Sequence, residues 1–370
     1  MIGVGIIGCG NISAAYLRLG PLFQGFEIRA VADVSMAAAK ARATEFGVRA
    51  ETVKSLLAAT DIGVIVNLTV PDAHFRVTRN ILQAGKHAYT EKPLVLNLRE
   101  AEVLRSLATA KGLRVGSAPD TFLGGAHQLA RAAIDEGQVG KIIAGSCHVM
   151  GHGMEHWHPN PDFFFRPGGG PMLDLGPYYV TNLIQLLGPV RRVAALATAS
   201  FPTRTISSQP RAGEVIPVTT PTNIHALLDF ASGATITLST SWDIWAHNHP
   251  DTELYGTEGS IFVPDPNFFG GTVSVARPDG TVTDLAGRGH PFGVPNQDER
   301  ANYRTAGLAD MVAGIAAGRP HRCSLDLAIH AVDVMTATLK SGKTGRFVTL
   351  TTTCERPEPL DPEAARALLK

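Results

Sequence analysis

The opening stretch MIGVGIIGCGNISAAYLRL constrains this chain more than any other part of it. A β-rich run ends in a glycine turn and passes directly into helical spacing, the order strand, turn, helix. Gly8, Gly10 and Ser13 fill the three small positions of G-x-G-x-x-G/A. The first permits a tight turn, the second lets backbone approach a pyrophosphate, and the third, here a serine, permits close helix–strand packing. Free N–H groups at the helix start, around Asn11 and Ile12, favour an anion together with the helix dipole. FEIRAVADVS reads as a second strand ending in Asp33, twenty residues beyond Ser13. A dinucleotide fold places there the carboxylate that takes the adenosine ribose hydroxyls. Val34, Ser35 and Met36 follow, with Lys40 a turn into the next helix, so no arginine stands close behind Asp33. A carboxylate repels a 2′-phosphate, which favours NAD over NADP. The plainer alternative is a glycine turn in an α/β protein that holds no nucleotide.

At 370 residues the chain suits two domains, each able to fold alone. Charged residues are 18% of the total and divide into 33 basic and 33 acidic. That balance argues against an electrostatic hold on nucleic acid or an anionic membrane. Four cysteines, Cys9, Cys147, Cys323 and Cys354, form no CxxC pair, which points away from a zinc ribbon or disulfide framework and towards a reducing cytoplasm. No apolar run reaches membrane-spanning length, and the first apolar stretch reads as a buried strand and not as a signal peptide.

Further along, IGVIVNLTV reads as a strand that ends in Asn67 and Thr69, ahead of Pro71 and His74. Ligands of open α/β sheets bind at the carboxyl ends of strands, so this turn belongs beside a cofactor; for His74 a capping or packing role is an equal alternative. QAGKHAYTEKP gives another strand and the tripeptide Glu91-Lys92-Pro93, and GGGPMLDLGPYYV carries Asp174 and Tyr178 four residues apart behind three glycines. On one helix those two would share a face.

The glycine loop with Asp33, AGKH followed by EKP, and GGG-x-x-x-D-x-x-x-Y together resemble the Gfo/Idh/MocA family of NAD(P)-dependent oxidoreductases, in order and spacing over roughly residues 1–350. The resemblance implies a Rossmann domain over 1–122 and an α/β domain with a large, mostly antiparallel open sheet over 123–350. A tail would occupy 351–370. It also implies hydride transfer between nicotinamide and a hydroxyl carbon of a sugar, inositol or related polyol, in a homodimer or homotetramer. Lys92 corresponds to the family's active-site lysine, and an ammonium near a hydroxyl stabilises developing alkoxide in a partly dry cleft. Glu91 belongs to the same cofactor-side segment. Many members have histidine where Tyr178 stands and an Asp three residues later, where this chain has Thr181. The tyrosine is similar to the glucose–fructose oxidoreductase and dihydrodiol dehydrogenase branches. A phenol titrates near about 10 unless a cation lowers it, so this role requires Lys92 nearby. Tyr178 is then the proton carrier, Asp174 a positioning group and Tyr179 structural.

GHGMEHWHPNPDFFFRP precedes the glycines. His152, Glu155 and His156 formally match H-x-x-E-H, but Gly151, Gly153, Pro159 and Pro161 argue against the helix that a zinc site of this type needs. The expected metal is none. The stretch reads as a loop in which His156, His158 and Arg166 bind hydroxyl or carboxylate groups and Trp157 stacks on a sugar face; a surface loop packed by its phenylalanines is the alternative. Two other functions share these motifs. One is a glycoside-cleaving enzyme that retains its NAD through oxidation, elimination and reduction. The other is a dinucleotide-binding protein without turnover.

Overall fold

The computed structural model describes residues 1–370. The chain forms two compact units, and neither is a single stretch of sequence: residues 1–125, 288–332 and 357–370 make the first, residues 126–287 and 333–356 the second.

The first unit contains a six-stranded sheet of β1 (Ile2–Ile7), β2 (Phe26–Ala32), β3 (Arg49–Glu51), β4 (Val64–Asn67), β5 (His87–Thr90) and β6 (Val115–Ser117) in the order β3-β2-β1-β4-β5-β6. Every neighbouring pair is parallel. Val4, Ile6, Val64, Ile65 and Val66 are fully buried, the continuous apolar run expected of parallel strands covered on both faces. Strand order reverses between β1 and β4, which opens a crevice at their carboxyl ends. Gly8 sits at that edge with φ 107°, and a Cβ there would lie 2.5 Å from Leu68 O. The two loops can meet only because this residue has no side chain.

The chain's later segments complete this unit. Thr305, at φ 99°, enters the helix Ala306–Ala317, and Asp120 Oδ2 accepts from both Thr305 N and Gly307 N at 3.0 Å. The final segment differs from the expected tail. Leu360, Ala365 and Leu368 are buried, and Gln24 N and Lys370 N exchange backbone bonds with Leu368 O and Leu22 O at 3.0 Å. Two leucines in a Pro- and charge-rich stretch suffice to anchor it, because each buries apolar area that the surrounding composition conceals. The single cuts near 122 and 350 do not coincide with the limits of the compact units.

The second unit is built on a nine-stranded sheet. Its strands are β7 (Ile142–Met150), β8 (Val190–Thr198), β11 (Asn223–Phe230), β12 (Thr235–Ser241), β13 (Thr252–Gly256), β14 (Ser260–Val263), β15 (Ser274–Ala276), β16 (Val282–Asp284) and β17 (Val348–Thr349). They run β16-β15-β14-β13-β7-β12-β11-β8-β17; β7 and β12 are parallel, the others antiparallel. A separate ribbon pairs β9 (Thr203–Thr205) with β10 (Val215–Pro217). Along β11, Ile224, Ala226 and Leu228 are buried while His225 and Leu227 are exposed, the alternation of a sheet with one core face. All twelve residues of the helix Gly176–Leu187 are buried, the polar Thr181, Asn182 and Gln185 included, so this helix has no solvent face.

Candidate active site

In the first unit the glycine turn forms an open cradle. Gly10 is exposed, with no atom within 4 Å of the Cβ it lacks. The helix Asn11–Leu19 that follows has no side-chain cap. Those N–H groups and the vacant space beside Gly10 fit a pyrophosphate. Ser13 is buried, its Oγ donating to Gly10 O at 2.6 Å, and so turns away from the cradle. Asp33 is oriented by two backbone donors, Cys9 N and Ser35 N, each at 2.8 Å.

Beside it, Asn67 is fully buried. Its Nδ2 donates to His74 O and Thr78 Oγ1, and its Oδ1 accepts from Thr69 N and Thr69 Oγ1. Pro71 begins the helix Pro71–Gln83. His74 is buried, with Nδ1 at 2.6 Å from Pro93 O and Nε2 at 2.9 Å from Thr69 O. Burial lowers the His74 pKa, while the two carbonyls oppose that shift. With both ring nitrogens on backbone, its geometry ties the β4 turn to the segment after Lys92. The Lys92–Pro93 peptide is cis. Glu91 accepts from Tyr16 Oη at 3.0 Å through Oε1 and from Lys92 N at 3.0 Å through Oε2. Burial first, and then the charge of Glu91, push the Tyr16 hydroxyl well above its ordinary pKa; it therefore stays a donor, and Glu91 is locked at the carboxyl end of β5.

In the second unit, Asp174 and Tyr178 do not share one helix. Pro171–Asp174 and Gly176–Leu187 are separate helices that break at Leu175, and Tyr178 N bonds to Leu175 O. Pro177 has no N–H to donate, so the hydrogen-bond ladder is interrupted between Asp174 and Tyr178. Asp174 is half-buried and Tyr178 buried. Tyr179 donates to Asp265 Oδ1 at 3.0 Å from a buried position, and burial raises its pKa strongly; it is structural. The glycines serve close approach: a Cβ on Gly169 would lie 2.4 Å from Phe163 O, and Gly170 has φ 83°.

The loop before them has no α-helix across 151–160. His158 takes Asn160 N on Nδ1 at 3.0 Å, which leaves its proton on Nε2, while burial lowers its pKa and the Asp174 charge opposes that. It is thus a hydrogen-bond donor within reach of Asp174's field. His156 and Trp157 are exposed. Arg166 is also exposed and pairs with Asp162 at 3.4 Å. The H-x-x-E-H residues do not converge. Glu155 pairs with Arg204 at 3.0 Å, His152 stacks on Trp245 at 3.3 Å between centroids, and His156 faces solvent.

Comparison with known proteins bears on the same two halves. Residues 2–118 match the profile described as an oxidoreductase family with an NAD-binding Rossmann fold, and residues 127–262 match the GFO/IDH/MocA C-terminal domain. The chain belongs to the Gfo/Idh/MocA oxidoreductase family. A 1,5-anhydro-D-fructose reductase from Ensifer adhaerens is 26% identical over 295 residues, 75% of this chain and 78% of the relative. An NAD-binding oxidoreductase from Klebsiella pneumoniae superposes with a TM-score of 0.82 at 22% identity, covering 95% of this chain and 99% of its own. A levoglucosan dehydrogenase solved with NADH and L-sorbose superposes at 0.80 with 21% identity, over 95% and 99% of the two chains.

Two features of this Gfo/Idh/MocA chain escape motif reading. Tyr16 lies 75 positions from Glu91, and no sequence pattern connects them. The same holds for Arg204, whose side chain is 4% exposed and pairs with Glu155 and Asp243. Ser207 N and Ser208 N donate to Glu155 O, Ser208 Oγ donates to His158 O at 2.6 Å, and Thr219 N donates to Phe165 O. The β9–β10 ribbon therefore clamps the histidine loop by its backbone. Only the position of a buried charge could have hinted at Arg204, and burial of a lone arginine is not visible in a sequence.

Proposed function

We propose that this oxidoreductase transfers a hydride between a nicotinamide dinucleotide and a hydroxyl-bearing carbon of a sugar, inositol or related polyol. The observation that carries the reading is Glu91-Lys92-Pro93 at the carboxyl edge of the parallel sheet, with Glu91 held by Tyr16 Oη and Lys92 N. The relatives' names, a reductase of anhydrofructose and a dehydrogenase of levoglucosan, support a small carbohydrate. Asp33, aimed by two backbone donors, supports NAD over NADP, since a carboxylate accepts ribose hydroxyls and repels a 2′-phosphate.

The cradle residues Gly8, Gly10, Asn11 and Ile12 would hold the pyrophosphate, with Asn67, Thr69, Pro71, His74 and Glu91 shaping the wall beside it. When bound, the nicotinamide supplies the hydride acceptor or donor. Oxidation of a carbinol removes a hydride from carbon and a proton from oxygen. Lys92 hydrogen-bonds the reacting oxygen and stabilises the negative charge that develops on it. Tyr178 relays the proton, in the manner of the Tyr-bearing branch of the family, and Asp174 positions the substrate. His158, as a neutral Nε2–H donor, binds a hydroxyl together with His156 and Arg166, and Trp157 offers a stacking face.

A homodimer or homotetramer is the assembly this reading carries. Leu196, Leu227, Tyr255 and Phe347 are exposed; Leu196, Leu227 and Phe347 help line a largely apolar depression of about 380 Å³ on the sheet face, which a second copy of the chain would cover. Four buried free cysteines support a reducing cytoplasm. No helix is long and apolar enough to cross a membrane.

The test is Lys92→Met, assayed with whichever sugar yields stoichiometric NADH in a screen with NAD and NADP. Turnover should fall by roughly a thousandfold, with NAD affinity unchanged. Turnover within tenfold of the parent would remove Lys92 from the chemistry, and cleavage of an aryl glycoside without net NADH would replace net oxidation.

A further inference from the structure

No arginine stands beside Asp33 in the sequence, yet the fold returns one to the cradle. Arg42, in the helix Met36–Phe46, donates from Nη2 to Gly10 O at 3.3 Å. Asp33 Oδ2 accepts from Cys9 N at 2.8 Å. Carboxylate and guanidinium therefore flank one short segment, Cys9–Gly10, from which the anion-binding turn departs. Both charges are felt by the Cys9 thiol: burial first and then Asp33 push it up to about 11, and Arg42 pulls it the other way.

The guanidinium is held but not saturated. Nη1 pairs with Glu45 at 2.6 Å, the Arg42 side chain is 17% exposed and that of Glu45 50%. The guanidinium carbon lies 5.9 Å from the Phe46 ring centroid. Nε is buried and has no hydrogen-bond partner. That buried nitrogen is closed to a ligand, but each terminal nitrogen of a guanidinium carries two N–H groups, so Nη2 keeps one beside Gly10, where no atom lies within 4 Å of the missing Cβ. A single pair whose carboxylate is half exposed, such as Arg42–Glu45, contributes little by itself, and a phosphate can take its place at small cost. In Rossmann folds the group near the ribose-binding carboxylate decides whether a 2′-phosphate is admitted, and an arginine there accommodates it.

We propose that Arg42 is a cofactor-specificity residue: its guanidinium takes the 2′-phosphate of NADP(H), so that this chain binds NADP(H) as well as NAD(H). Asp33 keeps the unphosphorylated ribose the better fit, and Arg42 sets how far behind the phosphorylated one falls. Planar guanidinium and phosphate form paired, charge-assisted hydrogen bonds, which offset the Asp33 repulsion. The inference rests on the dinucleotide reading of the cradle.

The experiment measures dissociation constants of NADH and NADPH by cofactor fluorescence, with no substrate present, at one fixed ionic strength. The proteins are the parent, Arg42→Gln, Arg42→Lys and Glu45→Gln, each checked for an unchanged far-UV spectrum. Arg42→Gln should weaken NADPH on the order of tenfold or more, as loss of a charge-assisted bond does, while NADH changes less than about twofold. Arg42→Lys should recover part of the loss, and Glu45→Gln should tighten NADPH. The proposal is overturned if Arg42→Gln weakens both cofactors alike, which would place Arg42 on the shared pyrophosphate. It is also overturned if the variant weakens neither, or if the parent binds NADH and not NADPH. Failure of the parent to bind either cofactor would instead remove the dinucleotide reading.

Discussion

Arg204→Met should unfold the second unit's histidine loop at a predictable cost. The Arg204 side chain is 4% exposed, and those of its partners Glu155 and Asp243 are 8% and 3% exposed. Nη1 donates to Glu155 Oε1 at 3.0 Å, and Nη2 donates to Asp243 Oδ1 and, at 2.8 Å, to Trp242 O. The guanidinium carbon lies 4.8 Å from the Phe201 ring centroid and 5.5 Å from that of Phe165. Methionine fills much of the stem's volume but leaves two buried carboxylates without a counter-charge. Breaking a buried pair in this way costs about 3–5 kcal/mol. A unit of this size shifts by roughly 2–4 °C per kcal/mol, so its transition should fall by roughly 6–20 °C. Differential scanning calorimetry of the parent and the variants reads that shift. Replacing all three charges together, as Arg204→Met with Glu155→Gln and Asp243→Asn, should restore most of the loss, because no uncompensated charge then remains. A single variant that loses less than about 1 kcal/mol, or a triple variant no better than the single, would refute the electrostatic account.

Asp120 carries a pH dependence. Burial first pushes its carboxyl up to about 6, against the backbone donors Gly307 N and Thr305 N. The folded protein thus holds this proton to higher pH than the unfolded chain, so its contribution is fully present below about 4 and is lost as pH rises through about 6. Asp120→Asn keeps an acceptor for both N–H groups and cannot ionise; it should be more stable than the parent at pH 7, by up to about 3 kcal/mol, and no better near pH 4. Denaturant melts at the two pH values check this, and a larger advantage at pH 4 would reverse the sign. Gly8→Ala should cost about 1–3 kcal/mol, since φ is 107° and the new Cβ would meet Leu68 O at 2.5 Å. It should also weaken NADH binding, and titration with unchanged affinity would show that the cradle tolerates the side chain.

The first unit was legible because its signals are local. A glycine turn between strand and helix and a carboxylate at the end of the next strand have meaning at short range. Continuous apolar runs in β1 and β4 likewise reveal parallel strands without tertiary knowledge. In the second unit the antiparallel sheet was implied by the family resemblance, and its trace in the residues is the alternation along β11, with Ile224, Ala226 and Leu228 buried and His225 and Leu227 exposed. The break at Leu175 was less visible, because the spacing of Asp174 and Tyr178 suits a helix and only the pair Gly176-Pro177 speaks against it.

What the sequence determined by itself is the class of the molecule: the dinucleotide turn, the family, and the residue types Lys92, Asp174 and Tyr178 that the proposed chemistry draws on. Tertiary structure alone decided which partners those groups have. Tyr16 reaches Glu91 across 75 positions, Arg42 returns to Gly10 across 32, and Arg204 meets Glu155 across 49. Residues 357–370 join the first unit through leucines set among charges. The reason is physical. Turn geometry and strand burial follow from neighbours in the chain, whereas the pairing of charges and of buried hydroxyls depends on which segments the core brings together, and that is settled only when the apolar faces have packed.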